Sequence, residues 1–188
     1  MRLARDEVTV SIWAYKDNWK DYATSGTSSQ WQTMFSCQEA GGFTIYEMTL
    51  GNFNFVIGTG ESANTYKSTA PGNSYAGNLS AGWHHFALTY NGLDLKAYVD
   101  GTLIKTANCY TTKTPIWYFT GTTTVFVGAE ASSGTGAPVG GYYWNGRLSD
   151  FRVYETALSD TDIKELYNTP VSIANNGTML VAGEIVEV

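Results

Sequence analysis

Cysteine, proline and charge are all scarce in this chain of 188 residues, and it lacks long apolar or basic runs. Cys37 and Cys109 are too few for a disulfide framework and lack metal-site spacing, so two unpaired, mostly buried thiols are expected. No apolar run approaches the ~18–20 residues of a membrane-spanning helix. No basic run exceeds two residues and the formal net charge is −6, which argues against nucleic acid and anionic membranes as partners, since both need a basic patch. The Gly-rich stretch 131–141 contains no G-x-x-x-x-G-K-[ST] and opens no helix, which speaks against phosphate binding. The start, "MRLARDEVTVSIW", has no apolar h-region and no small-residue cleavage site, so no secretory signal is expected. Without secretion the sequons at Asn78 and Asn176 carry little meaning.

What the chain does have is Thr, Gly, Tyr, Trp and Phe, a strand-favouring composition. "EVTVSIWAY" alternates, with Val8, Val10, Ile12 and Ala14 on one face and Thr9, Ser11, Trp13 and Tyr15 on the other. Strand runs follow at 31–38, 42–48 and 52–58, with a weaker one around 62–69. In "GWHHFALTYNGLDLKAYVDG", residues 82–101, Asn91-Gly92 predicts a two-residue type I′ hairpin turn, and Asp100-Gly101 turns the chain again into "TLIKTA". "TTTVFVGAE" and "GRLSDFRVYET" read as further strands. "ALSDTDIKELYN" reads as one helix, capped by Ser159 with Asp162 three residues on, faced by Ile163, Leu166 and Tyr167, and stopped by Pro170. Ten to thirteen strands and one helix describe an all-β, two-sheet antiparallel sandwich.

The two histidines, His84 and His85, are adjacent on a predicted strand and so point to opposite faces. They cannot share one metal or act as one acid–base pair, and no G-x-S-x-G supplies a nucleophile. Glycoside hydrolysis needs two facing carboxylates. Glu39 and Glu47 are separated by a predicted Gly41-Gly42 turn, and Asp150 and Glu155 fall on opposite faces of a regular strand. No catalytic residues, and no enzyme, are expected.

The ordered segments "VTVSIWAY", "MFSCQEAGGFTIYE", "GWHHFALTYNGLDLKAYVDGTLI", "VFVGAE" and "WNGRLSDFRVYETALSDTDIKELYN" resemble the laminin-G-like, concanavalin A-like jelly-roll superfamily over roughly residues 7–168. The resemblance implies a jelly-roll domain over 1–168, leaving 169–188 as a β-forming tail that supplies an added strand or a partner contact. It also implies a structural Ca²⁺ as the one candidate cofactor, held by Asp150 with backbone oxygens of the Gly41-Gly42 turn. The paired glutamate cluster of the family's hydrolytic branch has no counterpart here. Positions matching a disulfide of related pentraxins hold Ser11 and His85, so that bridge is not carried over.

Sugar binding needs an exposed aromatic ring for the apolar C–H face and amides or carboxylates for hydroxyls. Loop candidates are Trp117, Tyr118, Trp19 and Tyr22, with Tyr142, Tyr143, Asn18, Asp21 and Asn145 nearby; Trp13, Trp83 and Trp144 read as core. The leading expectation is a non-catalytic, glycan-binding recognition module on a surface or assembly protein. The alternative is a structural virion component, such as a decoration, tail or fibre-associated protein, that uses the tail for protein–protein assembly. A homo-oligomer is one form this would take. The matching locations are a virion surface reached after cytoplasmic assembly, or the extracellular space if a leader is removed.

Overall fold

The computed structural model describes residues 6–20, 31–37, 41–48, 51–59, 66–69, 75–118, 125–131, 142–170, 172–173 and 179–180. Its strands are β1 (Val8–Lys16), β2 (Gln32–Ser36), β3 (Phe43–Met48), β4 (Asn52–Gly58), β5 (Tyr66–Thr69), β6 (Gly82–Tyr90), β7 (Asp94–Val99), β8 (Thr102–Asn108), β9 (Phe126–Val127) and β10 (Arg147–Tyr154). Helix α1 (Asp160–Asn168) follows, then β11 (Ser172–Ile173) and β12 (Met179–Leu180). Two five-stranded antiparallel sheets result: a first in the order β10-β1-β6-β7-β8 and a second in the order β5-β4-β3-β2-β9. The expected sandwich is therefore present. β11 and β12 pair with each other rather than with either large sheet. The expected Asn176-Gly177 turn between them lies outside the described residues.

Alternation builds the core. Val8, Val10, Ile12 and Ala14 of β1 are fully buried between the sheets with Phe86, Leu88 and Tyr90 of β6 and Phe43, Ile45, Phe53, Phe55 and Ile57 of the second sheet. Each of the larger side chains among these, Ala14 excepted, contributes roughly 1.5–3 kcal/mol relative to exposure. Cys37 and Cys109 are free thiols, and burial pushes the Cys37 thiol up to about 12, which disfavours the thiolate form.

The meander forms with its two turns differing from expectation. At Asn91 the central residues are Gly92 and Leu93, because the Asn91 side chain accepts from both Leu93 N (2.9 Å) and Asp94 N (2.8 Å) and so takes the corner position. Gly92 supplies the positive φ of 89°. The two-residue turn with both φ positive falls instead at Asp100 (50°) and Gly101 (69°), between the paired Val99 and Thr102.

Helix α1 caps as expected: Ser159 accepts from Asp162 N while the Asp162 carboxylate accepts from Ser159 N. It lies on the outer face of the first sheet, where Ile163 is fully buried against Ala87 and Tyr98. Asp160 anchors its start to β7 through Tyr98 Oη (2.7 Å) and Lys96 Nζ (2.9 Å).

Candidate functional site

The outer face of the first sheet is covered only in part. Near α1, Trp13 stacks on Tyr167 with ring centroids 5.6 Å apart, and His85 sits against both rings. One row further along β1 that cover ends. There Tyr15 is directly opposite Arg147 of β10 on one side and Trp83 of β6 on the other, so three strands set three side chains abreast on one face. The Arg147 guanidinium stands 3.8 Å over the Tyr15 ring, and Trp83 meets that ring edge-on at 5.4 Å. Trp83, expected in the core, is 41% exposed, because alternation assigns it to the outer face and α1 does not reach its row.

A bulge in β10 sets this register. Ser11 is opposite Arg152 and Trp13 is opposite Ser149, so Asp150 and Phe151 together face Ile12. Asp150 takes the positive φ (51°) of the extra residue, a conformation Asp tolerates better than most side chains. Without the extra residue, Leu148 rather than Arg147 would stand opposite Tyr15.

Beside the row opens a cleft of about 430 Å³ lined by Tyr15, Lys16, Asp17, Asn18, Asn145, Gly146 and Arg147. Tyr15 Oη donates to Asp17 (2.6 Å), which raises the phenol above its ordinary value and fixes the ring. The Asn145 side chain is exposed while its backbone N donates to Gln32 Oε1 (3.2 Å). Only glycine fits at 146, since a Cβ there would lie 2.2 Å from Tyr15 O. The floor is charged but closed: Lys16 Nζ pairs with Glu47, both buried, and stands 4.7 Å from the Trp144 ring and 5.7 Å from that of Trp19.

That floor corrects one expectation. Trp19, nominated as an exposed platform, is 1% exposed; it packs on Phe53, Phe86, His84 and Trp144 and donates to Gly82 O (3.2 Å). It closes the end of the sandwich beneath the cleft. Trp117 and Tyr118 are half-buried. Trp117 is tied by its backbone to Gly58 O (3.0 Å) and Gly42 N (2.8 Å), and Tyr118 packs on the core and against Gly42. Tyr22 and Asp21 lie outside the described residues, as does Glu39. Asn145 and Asn18 are thus the nominated residues that meet in an open cleft, whereas Tyr15, Arg147 and Trp83 were not nominated.

Two of the donors proposed for Ca²⁺, Asp150 and the Gly42 carbonyl, are engaged otherwise. Arg152 forks onto both Asp150 oxygens at 2.6 Å, and Gly42 O accepts from Gly58 N (2.7 Å). A cation at Asp150 would have to displace a bidentate guanidinium. Among the described residues no three His, Cys, Asp or Glu side chains come together as a metal site.

Ser80, His84 and Asp100 have the composition of a nucleophilic triad without its chemistry. His84 Nδ1 faces Asp100 Oδ2 (2.6 Å), and Nε2 faces Ser80 O (2.9 Å) more closely than Ser80 Oγ (3.4 Å). Carboxylate and carbonyl oxygens only accept, so both ring nitrogens donate and neither can take a proton from Ser80. Burial pushes the imidazole down, but Asp100 and the Ser80 carbonyl outweigh it and hold His84 above its ordinary value.

A family profile for the concanavalin A-like lectin/glucanases superfamily matches residues 2–164. A search of curated protein sequences finds no match. Among solved structures, the native heptameric SAP-like pentraxin from Limulus polyphemus is similar at 16% identity and a TM-score of 0.55, with 87% of this chain and 70% of that one covered. The ligand-binding domain of botulinum neurotoxin serotype D, in complex with N-acetylneuraminic acid, aligns at 18% identity and 0.54, over 87% of this chain and 36% of that one. The binding domain of botulinum neurotoxin DC, in complex with rat synaptotagmin II, aligns at 17% and 0.54, over 93% and 39%. This chain therefore spans little more than a third of either toxin chain, and at these identities the likeness concerns the fold. With the profile covering residues 2–164 and the two-sheet sandwich in place, the chain belongs to the concanavalin A-like lectin/glucanase superfamily.

Proposed function

We propose that the chain is a non-catalytic glycan-binding module whose site is the Arg147–Tyr15–Trp83 row and the cleft beside it. The observation that carries this is the end of the α1 cover, which leaves an exposed indole beside a cleft lined by Asp17, Asn18 and Asn145. The indole face suits the C–H face of a pyranose, and the amides and carboxylate suit its hydroxyls. The volume of about 430 Å³ lies within the ~300–1,000 Å³ range of small-molecule sites. The sugar in the serotype D toxin complex supports the same ligand class on this fold. Binding without hydrolysis is supported by the cleft's carboxylates: among the described residues Asp17 is the one that lines it, and Glu47 beneath is paired with Lys16.

A glycan array with the full chain tests the reading. Trp83→Ala and Asn145→Ala each weaken binding by about tenfold or more at unchanged circular dichroism, whereas Trp117→Ala leaves it within about twofold. A folded protein that retains no glycan, or a Trp83→Ala variant that binds like the parent, rejects it.

A further inference from the structure

We infer that the cleft selects a sugar residue carrying a single carboxylate, with Arg147 as the group that receives it; this rests on the glycan-binding reading above. Arg147 is exposed at the rim of the cleft, and among the described residues it belongs to no ion pair. Its counterpart on the same strand, Arg152, has its fork filled by Asp150 at 2.6 Å. Arg147 instead lies with its guanidinium carbon 3.8 Å over the Tyr15 ring. Stacking uses the face of the guanidinium, and although its N–H groups also reach the Tyr15 hydroxyl, the remaining in-plane donors keep the geometry that matches a carboxylate with two parallel hydrogen bonds.

The platform is itself fixed. Tyr15 is held at its hydroxyl by Asp17 (2.6 Å) and its ring packs on that of Trp83 at 5.4 Å, so little side-chain freedom is lost when the ligand docks. The surroundings limit the ligand's charge. Asp17 lines the same cleft and the chain carries a net −6, so a polysulfated chain or a phosphate dianion meets repulsion that a single carboxylate largely avoids. The Asn145 amide, the Asn18 NH2 group, whose neighbouring oxygen already accepts from Lys20 N (3.0 Å), and the second Asp17 oxygen suit the hydroxyl or acetamido groups beside that carboxylate.

Titration calorimetry with the full chain tests this against four probes: 3′-sialyllactose, its neutral parent lactose, a heparin hexasaccharide and sodium acetate. Sialyllactose is expected to bind at least about tenfold more tightly than lactose, and the preference to shrink as salt rises. Arg147→Ala is expected to abolish the preference and leave residual lactose binding; Arg147→Lys, which keeps the charge without the fork, restores only part of it. Equal binding of sialyllactose and lactose overturns the inference while the glycan-binding reading stands. So does an Arg147→Ala variant that weakens both alike, or heparin or acetate matching sialyllactose. Absence of binding to any sugar overturns both, which separates the two failures.

Discussion

Two rows of the same sheet face, one residue pair apart along β1, have opposite fates. In the inner row Trp13 and His85 lie under Tyr167 of α1, and His85 is 1% exposed. In the outer row Trp83 is 41% exposed and Arg147 faces solvent. Both rows are rich in aromatic rings and obey the same alternation. What separates them is where α1 lies, and that follows from Ile163 docking on Ala87 and Tyr98 and from Asp160 bonding to Lys96 and Tyr98. The covered row stabilises the fold; the bare row is available to a ligand.

The largest effect should come from lifting the cover. Ile163→Ala removes a fully buried side chain from the helix contact and is expected to cost about 2–5 kcal/mol in urea unfolding. Glycan binding by the folded fraction should not change. A loss below about 1 kcal/mol would mean that α1 is not what stabilises the inner row.

The next effect contrasts the two histidines by pH. Burial pushes His85 down to about 4, with Arg152 acting the same way and Asp100 and Asp150 opposing. From the ordinary value of 6.5 down to about 4, the unfolded chain takes up a proton that folded His85 refuses. Stability therefore falls with pH across that window, by up to roughly 3 kcal/mol. His84, held above 6.5 by Asp100 and the Ser80 carbonyl against its burial, has the opposite sign. Its contribution is complete below 6.5 and fades as pH rises through its folded value. Urea midpoints across pH for His85→Gln and His84→Gln should show the first flattening the acid limb and the second the neutral-to-alkaline one. Both variants altering one limb would remove the contrast.

A smaller change in stability goes with a large change in binding. Trp83→Ala deletes an exposed ring and should move stability by less than about 1 kcal/mol, while glycan binding drops by about tenfold or more. If the variant instead unfolds several kcal/mol more easily, Trp83 belongs with the covered row and the bare-row assignment fails.

Much of this frame was legible from short-range pattern. Alternation in β1 and β6 identifies the inward residues, and Ser159 with Asp162 marks the start of α1, because these signals act over a few residues. The site was less legible. Trp83 reads as core because alternation assigns a face without saying how far a helix extends across it. Trp19 reads as a surface ring because its neighbours are loop-like, although it closes the open end of the sandwich. Arg147 meets Tyr15 only because the bulge at Asp150 and Phe151 shifts the register by one, and a one-residue shift decides which side chain shares the face. Asn145 was recognisable from its place among loop aromatics, and it does line the cleft.

The smallest expected effect concerns Asp150, which belongs to the covered side of the contrast. Its carboxylate holds Arg152, which reaches on to Thr169 O (3.3 Å) at the C-terminal end of α1, where a cation complements the helix dipole. The Asp150–Arg152 pair thus ties the bulge to the helix that covers the inner row. A metal bound only to the folded state would raise the melting temperature by an amount that grows with the logarithm of its concentration above its Kd. With both Asp150 oxygens already accepting from Arg152, thermal melting with EDTA and with added millimolar Ca²⁺ should differ by less than about 1 °C. Asp150→Asn, by contrast, should lower the midpoint in both conditions alike, since what it weakens is the hold on Arg152. A Ca²⁺-dependent rise that Asp150→Asn abolishes would reverse this assignment: the carboxylate would then serve a cation first, and the guanidinium would take its place only when the cation is gone.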